Sequence, residues 1–470
     1  MIHLSRTAKI PLHTQIYRAI RDDILAGEIT AGAKLSSIRA LACELNVSVN
    51  TVKNAYHQLA VEGYIENMPQ SGFYVNYINK YQSLLSMQQE KIKEMPKIPD
   101  ERKTYEIRYD FTYEKMSMAL FQSMKWRKYV TDALMGYDVR NLGKYNLHKG
   151  ELELRSEIQR YLKVSRNVHC DVEQIVLCGG IQDSIERICN IIPAAKVALE
   201  SPGLKLWETI FKRHGFATKL FSVYPDYRYI DEVVKSDVKI AITTPSHQFP
   251  TGYTMSLEEK MRLLEWGASK STIIVEDDYD CEFRYGSQPL PAMQFLDKYD
   301  CVLYIGTFSK LLFPGLRVNY MVLPHKLLEK YESVYKGYYP PNVSWLIQKT
   351  LYNFMSSDDF ARHLGRARYH YKQKYYTLIN ACRDILGDKV QIVGTDAGLH
   401  IMLRVTAVDD ADELIEAARK KEVRLYSLNR YCTMHEGFPR NLLLVGFSYI
   451  ENADIYEGIR LLKEAWSQYL

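Results

Sequence analysis

The sequence predicts an α/β protein with a mainly parallel sheet, preceded by a small winged helix-turn-helix domain. After about residue 110, short apolar runs alternate with amphipathic helical stretches, which is typical of βα repeats. Before residue 76, three short amphipathic stretches are followed by a glycine-containing hairpin pattern. Between them lies a polar segment of mixed charge, which Pro96 and Pro99 interrupt. We therefore expect a first domain at 1–76, a linker at 77–110 with a short helix near 82–93, and a large domain at 111–470 with a smaller C-terminal α+β subdomain from about 340.

The composition is that of an ordinary soluble protein. The 470 residues are 47% hydrophobic and 25% charged, and the net charge of +5 is too small to indicate nucleic acid or membrane by itself. The eight cysteines are scattered without a C-x-x-C pair, which favours a reduced chain over a disulfide framework or a metal site. The first residues lack the apolar core of a signal peptide, and no stretch approaches the ~18 apolar residues of a membrane span. We expect a cytoplasmic protein without a membrane partner.

Three helices are predicted in the first domain. Residues 12–26 carry apolar residues on one face, with Pro11 at the start and Gly27 beyond the end. Ser36 or Ser37 can cap a second helix, and Ser48 can cap a third that runs to about residue 62. Short amphipathic helices joined by a few residues are the helix-turn-helix arrangement.

The third helix has an inward apolar face and an outward polar face. The outward face carries Asn50, Lys53, Asn54 and His57, and amides and a cation can hydrogen-bond base edges and phosphates in a major groove. On this helix alone, a solvated surface is the more ordinary interpretation. The hairpin pattern that follows, with Gly72 near its tip, favours a winged helix.

Residues 10–76 resemble the DNA-binding domain of GntR-family bacterial regulators. The resemblance rests on Leu-Ser-Ser-Ile-Arg-Ala-Leu-Ala at 35–42, on Val-Ser-Val-Asn-Thr-Val at 47–52 and on the wing. Two residues depart from the family pattern: Ser36 replaces a proline, and Val49 replaces an arginine that commonly contacts DNA. The resemblance implies operator DNA as a partner, bound by a dimer on two half-sites. The residues implied at the DNA are Arg39, Ser48, Asn50, Thr51, Lys53 and Gly72.

One lysine follows a predicted strand of the large domain. The apolar run 301–305 is expected to form a buried strand that stops at Gly306, and Lys310 and then Arg317 follow it. A buried lysine can lose its proton and attack a carbonyl, and an arginine can hold a phosphate with its planar fork. Together they predict a pyridoxal phosphate site, although most lysines are simply solvated surface residues.

Three more predicted strands end in polar residues. The strand 174–178 leads into Gly179–Ser184, where exposed backbone N–H groups at a helix start suit a phosphate. The strand 272–275 leads into three aspartates, of which Asp277 can pair with a protonated pyridine nitrogen, unless these residues form a solvated acidic loop. The strand 240–243 leads into a polar loop containing His247, which can reach a ring hydroxyl. Ligands of such folds collect at these strand ends.

From about residue 110 onwards, the chain resembles fold-type I pyridoxal-phosphate aminotransferases. The motifs are Thr-Pro-Ser-His-Gln-Phe-Pro-Thr-Gly at 244–252, Glu-Asp-Asp-Tyr-Asp-Cys-Glu-Phe-Arg-Tyr at 276–285, Gly-Thr-Phe-Ser-Lys at 306–310 and Gly-Leu-His at 398–400. With the winged helix in front, the chain is similar to the MocR-type, GabR-like regulators. The resemblance implies that Lys310 forms the internal aldimine, that Asp277 pairs with the pyridine nitrogen and that Tyr279 sits at the ring hydroxyl. It also implies that backbone groups of Ile181 and Gln182, together with Thr307 and Arg317, hold the cofactor phosphate. Tyr145 is implied to reach the cofactor phosphate of the neighbouring subunit, which makes the protein a homodimer.

Three positions depart from the aminotransferase pattern. Leu204 stands where an aromatic residue stacks on the cofactor, and the motif from Tyr145 to Gly150 differs from the usual one. Leu444 occupies the place of the arginine that binds the substrate carboxylate in many aminotransferases. Arg430 or Arg440 can substitute for it, or both are solvated surface charges. We therefore expect little or no net transamination.

The combined features predict a transcriptional regulator that carries pyridoxal phosphate on Lys310. A small amine or amino acid would displace Lys310 and shift the large domain between conformations, and the linker would pass that shift to the winged helices. Two alternatives stay open. The chain can be an active aminotransferase with an accessory DNA-binding domain, or pyridoxal phosphate itself can be the signal.

Overall fold

The computed structural model describes residues 4–5, 10–77, 106–136, 145–225, 227–286, 291–337, 342–394, 397–434 and 437–470. The chain divides into two compact units, Met1–Lys103 and Thr104–Leu470. The domain boundaries at 76, 110 and 340 stay predictions, and the predicted helix at 82–93 lies outside the described residues. Across those described ranges, no helix combines the length and apolar character that crossing a membrane requires.

The first unit contains the three predicted helices. They are α1 (Leu12–Leu25), α2 (Ile38–Glu44) and α3 (Val49–Val61). Ser37 caps α2 by accepting a hydrogen bond from the Ala40 N–H at 3.1 Å, and Ser48 caps α3 in the same way from Thr51. Their apolar faces form one core that includes Ile16, Ile20, Val52, Tyr56 and Leu59. The amphipathic pattern of the sequence is thus confirmed, because it is this shared core that the helices bury.

A two-stranded hairpin completes the first unit. Strands β1 (Ile65–Met68) and β2 (Gly72–Val75) pair antiparallel, with Ile65 opposite Val75 and Met68 opposite Gly72. Phe73 packs edge-on against Tyr56 of α3, with ring centroids 5.1 Å apart. The unit is therefore a winged helix-turn-helix.

The large unit is built on a seven-stranded sheet. Its strands are β4 (Ile175–Cys178), β5 (Lys196–Ser201), β7 (Ala217–Ser222), β8 (Ile240–Thr243), β9 (Ile273–Asp278), β10 (Val302–Thr307) and β11 (Asn319–Val322). Their order across the sheet is β4-β11-β10-β9-β8-β5-β7. All neighbours in this sheet are parallel except β11, which runs antiparallel to both β4 and β10. The predicted mainly parallel α/β sheet is confirmed.

Helices and short strands surround this sheet. The helices are α4 (Ser123–Met135), α5 (Leu152–Arg166), α6 (Ile181–Ile191), α7 (Lys205–Arg213), α8 (Tyr229–Lys235), α9 (Leu257–Lys270), α10 (Met293–Leu296), α11 (His325–Tyr335), α12 (Trp345–Met355), α13 (Asp358–Ala381), α14 (Ala411–Arg419) and α15 (Ile455–Ala465). A second, antiparallel sheet has the order β12-β13-β17-β15, from β12 (Val390–Val393), β13 (His400–Val405), β15 (Tyr426–Ser427) and β17 (Leu442–Gly446). Two short pairs join β3 (Tyr109–Asp110) to β14 (Val423–Arg424), and β6 (Gly203–Leu204) to β16 (Cys432–Thr433).

Strand β10 is longer than predicted. It continues through Gly306 to Thr307, so the expectation that it stops at the glycine is wrong. A Cβ atom on Gly306 would lie 2.3 Å from the Tyr320 ring of β11. The glycine is therefore required by the close approach of Tyr320 inside the sheet, and it does not end the strand.

Strand β9 is also longer than the predicted strand 272–275 and includes the acidic residues that follow it. Glu276, Asp277 and Asp278 belong to the strand and are buried, so the alternative of a solvated acidic loop is wrong. Glu276 accepts hydrogen bonds from the Met293 and Gln294 N–H groups at 2.7 and 2.8 Å. Asp278 accepts one from the Arg166 guanidinium at 2.7 Å. These partners offset the desolvation of the carboxylates.

Candidate functional site

A cavity of about 340 Å³ opens at the carboxyl ends of the parallel strands. This edge is where ligands of open α/β sheets bind. Of the residues predicted to contact the cofactor, its lining includes Lys310, Asp277, Tyr279, Ile181, Thr307 and Arg317. The parallel pairing of β9 and β10, with Asp277 opposite Ile305, is what places Asp277 and Lys310 at the same edge.

Tyr113 holds the Lys310 amine through its carbonyl and its ring. The Lys310 Nζ donates a hydrogen bond to the Tyr113 carbonyl at 2.9 Å and lies 3.6 Å from the centroid of the Tyr113 ring. Burial lowers the pKa of Lys310 to about 8, against the smaller opposing effects of Asp280 and Glu114. A larger fraction of this amine is therefore neutral, and hence nucleophilic, at neutral pH than for a solvated lysine.

Asp277 is a buried carboxylate that forms no ion pair with another residue of the described part of the chain. Burial and the nearby Asp278 raise the pKa of Asp277 to about 7, against the smaller opposing effect of the Trp207 side chain. A cationic group that entered next to Asp277 would favour its ionised form. The position thus suits a protonated ring nitrogen.

A cradle with the donors and positive charge that suit an anion lines the same cavity. Helix α6 begins at Ile181, and the N–H groups of its first turn have no partners within the helix. Gly180 precedes it with φ 109°, and a Cβ atom there would lie 2.2 Å from an Arg317 guanidinium nitrogen. The guanidinium is thus packed directly against the helix start, where backbone donors and positive charge combine. Thr307 adds a hydroxyl, which is hydrogen-bonded to Asn319 at 2.7 Å.

Tyr279 is backed by a buried histidine. Its hydroxyl lies 2.9 Å from the His247 Nδ1, and the same nitrogen lies 3.0 Å from the Asp280 carboxylate. His247 itself is outside the cavity lining. Through these contacts it can fix the position of the Tyr279 hydroxyl. His400 stands beside His247, with ring centroids 5.1 Å apart.

The other predicted cofactor contacts are placed differently. Gln182 is exposed, and its side chain bonds to Glu186 at 3.2 Å, so only its backbone N–H faces the helix start. The Tyr145 side chain is 92% exposed in the single chain. These two roles, like the cofactor roles of the lining residues, stay predictions.

Neither of the proposed carboxylate-binding arginines lines the cavity. Arg430 lies 3.7 Å from Glu114 at the cavity edge, and Arg440 lies 3.9 Å from Asp410. Leu444 is fully buried in an apolar cluster with Phe249 and Met402.

Several lining residues lie outside the predicted set. Among them, Glu200 has the most unusual environment for a charged residue. Its buried carboxylate accepts hydrogen bonds from the side chains of Tyr227, Thr243, Thr244 and Gln248, and from the Thr244 N–H. A charge at the end of the apolar strand β5 is the signal that would have found it. Trp207, Tyr113 and Asn319 carry no comparable signal.

The predicted DNA-contacting residues lie in the first unit. Arg39, Asn50 and Lys53 are exposed, and Gly72 begins β2 of the wing. The Ser48 hydroxyl lies 2.8 Å from that of Thr51, so both residues already take part in capping α3. Their role at DNA stays a prediction.

Comparison with known proteins gives two family matches. The family of bacterial regulatory proteins, gntR family, matches residues 12–75, and the family aminotransferase class I and II matches residues 113–440. An uncharacterized HTH-type transcriptional regulator, YdeL of Bacillus subtilis, is 35% identical over 470 residues, with 98% of each chain covered. The "Probable rhizopine catabolism regulatory protein MocR" of Rhizobium meliloti is 31% identical, with 99% of this chain and 96% of that protein covered.

Solved structures match the fold of the large unit. A Pyrococcus horikoshii kynurenine aminotransferase, solved in complex with PMP, superposes with a TM-score of 0.69 at 22% identity, covering 83% of this chain and 95% of that one. At this identity the likeness shows the fold alone. Since the two regulators match over the full length and both domain families match in order, the chain belongs to the MocR-like subfamily of GntR-type regulators, which join a winged helix to an aminotransferase class I and II domain.

Proposed function

We propose that this chain is a DNA-binding transcriptional regulator whose large unit binds pyridoxal phosphate at Lys310 and responds to a small amine or amino acid. The observation that carries the proposal is the meeting of a half-buried amine, a buried carboxylate and a cradle suited to an anion in one cavity. The same chain carries a winged helix. These three groups correspond to the aldehyde, the ring nitrogen and the phosphate of that cofactor.

The cavity contains a suitable residue for each polar group of the cofactor. Arg317 and the first turn of α6 would hold the phosphate, because both present donors and positive charge. Asp277 would pair with the ring nitrogen, and Tyr279, held by His247, would meet the ring hydroxyl. The cradle leaves no room for a side chain at residue 180, which supports the proposal that the backbone itself binds the phosphate.

The cofactor supplies an aldehyde carbon that a primary amine can attack. Lys310 provides the resident amine, and burial keeps a useful fraction of it unprotonated. An amine effector would compete with Lys310 for this carbon. The released Lys310 amine would have the Tyr113 carbonyl as a hydrogen-bond acceptor, at 2.9 Å from its Nζ. A change of partner at Lys310 can bias the large unit towards one of two conformations.

The winged helix would carry the output. The exposed Asn50 and Lys53 of α3, together with Arg39 of α2, can meet base edges and phosphates, while Ser48 and Thr51 present the start of α3. Gly72 would bring the wing close to the DNA backbone. A homodimer would place two such helices on two half-sites.

Replacement of Lys310 by alanine tests the proposal. We expect Lys310→Ala to bind operator DNA as the wild type does and to lose its response to amines, measured as amine-dependent change in operator affinity. Lys298→Ala, at an exposed lysine, is the control and should respond normally. An unchanged amine response in Lys310→Ala would contradict the role of Lys310. Steady turnover of an amino donor and a keto acid, with operator binding indifferent to amines, would instead favour an aminotransferase.

A further inference from the structure

The mouth of the cavity carries a carboxylate. Glu114 lines the cavity and follows Tyr113, the residue whose carbonyl accepts the hydrogen bond from Lys310. The charge of Glu114 acts on the Lys310 amine, since it opposes the effect of burial on the lysine pKa. Glu114 therefore lies within electrostatic reach of the nitrogen that an incoming amine would replace.

Aromatic rings stand beside this carboxylate. The Tyr113 ring already holds the Lys310 ammonium at 3.6 Å from its centroid, which shows that this part of the cavity accepts a cation over a ring. Tyr431 also lines the cavity. Burial and the neighbouring Glu114 carboxylate raise the pKa of Tyr431, so its hydroxyl stays neutral.

A carboxylate on the effector would find little to bind there. Among the described lining residues the cations are Lys310 and Arg317, and the proposed function assigns both to the cofactor. Arg430 is outside the lining, 61% exposed, and lies over the rings of Tyr426 and Tyr431 at 5.7 and 5.5 Å. To meet an effector carboxylate, it would have to leave Glu114, and Glu114 would then repel that carboxylate.

Glu200, the other carboxylate of the lining outside the predicted cofactor contacts, is already satisfied. Its five hydrogen bonds come from Tyr227, Thr243, Thr244 and Gln248. Glu114 is different, because its side chain is 48% exposed and its ion pair with Arg430 is long, at 3.7 Å. Glu114 is thus the acceptor that remains open to a ligand.

We propose that the effector is a short diamine, of which one amino group replaces Lys310 and the other, as an ammonium, binds Glu114 beside the ring of Tyr431. This inference rests on the proposed function, because it names the class of amine that the same cavity selects. The ammonium would replace the distant Arg430 as the partner of Glu114. A monoamine lacks that contact, and an ω-amino acid such as γ-aminobutyrate places a negative charge at the same position.

Binding of three amines of equal chain length tests the inference. The probes are putrescine, butylamine and γ-aminobutyrate, titrated into the full chain loaded with pyridoxal phosphate, and each Kd is read from the absorption change of the cofactor. We expect putrescine to bind about tenfold more tightly than butylamine, as for one charge-assisted hydrogen bond in a partly exposed site. γ-Aminobutyrate should bind more weakly than either.

Three variants locate the effect. Glu114→Gln should bring the ratio of the putrescine and butylamine Kd values close to 1, and Glu114→Asp should give an intermediate ratio. The ratio cancels any effect of Glu114 on Lys310, which both amines share. Glu457→Gln is the matched control, since Glu457 is an exposed carboxylate paired with Arg460 on α15, and it should keep the wild-type ratio. The cofactor absorption of each variant reports that its cavity is intact.

Arg430→Gln distinguishes binding of the effector by Glu114 from binding of the effector by Arg430, because the two predict opposite changes in affinity. If Glu114 binds the effector, this variant frees Glu114, and putrescine should bind as tightly as before or more tightly. Equal Kd values for putrescine and butylamine would overturn the inference and leave the amine sensor standing. So would tight binding of γ-aminobutyrate that Arg430→Gln abolishes. An absence of any absorption change with all three amines would overturn the amine sensor itself, and the inference with it.

Discussion

Lys310 is the residue whose ionisation most directly controls its chemistry. With its pKa lowered to about 8 by burial, about a tenth of the amine is neutral at pH 7. We expect the rate at which the cofactor-free protein captures pyridoxal phosphate to rise about tenfold per pH unit below pH 8 and to level off above it. Stopped-flow absorption between pH 6 and 10 measures this profile.

The two ends of that pH profile report on different groups. Asp277, with its pKa raised to about 7, adds its own slope at lower pH, because its ionised form is the partner for the ring nitrogen. Lys310→Arg should show no capture phase at any pH. A rate that still climbs between pH 9 and 10 would mean that Lys310 ionises like a solvated lysine.

Among single residues, the sequence predicts the site residues that directly follow strands, but not those that other elements contribute. Lys310 and Asp277 could be predicted because both follow apolar runs, and parallel pairing brings such positions together. Trp207 could not, because it enters from the first turns of α7 and its contact with Asp277 spans a long stretch of sequence. The acceptor role of Glu200 depends on donors contributed by a different strand and loop.

The start of helix α6 makes a prediction at the scale of elements. Gly180→Ala would place a Cβ atom 2.2 Å from the Arg317 guanidinium and force the cradle apart. We expect its affinity for pyridoxal phosphate to fall by about tenfold or more, as for loss of a charge-assisted contact. Its affinity for pyridoxal, which lacks the phosphate, should change little. Equilibrium dialysis of both compounds measures the difference.

Gly215→Ala is the matched control for that substitution. Gly215 also has a positive φ, of 81°, but a Cβ atom added there would meet no other atom within 4 Å, so the variant carries the backbone strain without disturbing the cradle. It should bind pyridoxal phosphate normally. Equal losses in both variants would mean that the phosphate is held elsewhere.

Helix α3 makes the second prediction at this scale. Lys53→Gln should weaken binding to all DNA sequences to a similar extent and lower the salt slope of log K by about 1, as for one lost phosphate contact. Arg18→Gln on α1 removes the same charge from another exposed position of the unit and should have a smaller effect. Fluorescence anisotropy at several salt concentrations measures both. Equal effects of the two variants would place α3 away from the DNA.

Element types could be predicted better than element ends. The alternation of apolar runs and amphipathic stretches identified the sheet and the three N-terminal helices. It ended β10 at Gly306 and β9 before Glu276, since glycine and charged residues usually leave strands. Both rules are wrong here because of contacts with other parts of the chain: Tyr320 packs on the glycine, and Arg166 pairs with an aspartate of β9.

The whole molecule is predicted to act as a homodimer. Tyr145, 92% exposed in the single chain, is the residue expected to reach the partner's cofactor phosphate. We expect sedimentation of the full chain to give a dimer, and Tyr145→Phe to lower the affinity for pyridoxal phosphate about three- to tenfold, as for one hydrogen bond to a charged group, without changing the dimer. Tyr369→Phe, at another exposed tyrosine, should change neither. A monomer with full cofactor affinity would contradict the prediction.

One wall of the cavity also gives the protein a built-in optical reporter. Of the five tryptophans, Trp207 is the one on the described lining, which it shares with Asp277, and its side chain lowers the pKa of that carboxylate. An absorbing ligand seated there would quench its emission by energy transfer, and ionisation of Asp277 would shift that emission. Occupancy of the site can therefore be followed by intrinsic fluorescence in the unlabelled full-length chain, even while it is bound to DNA.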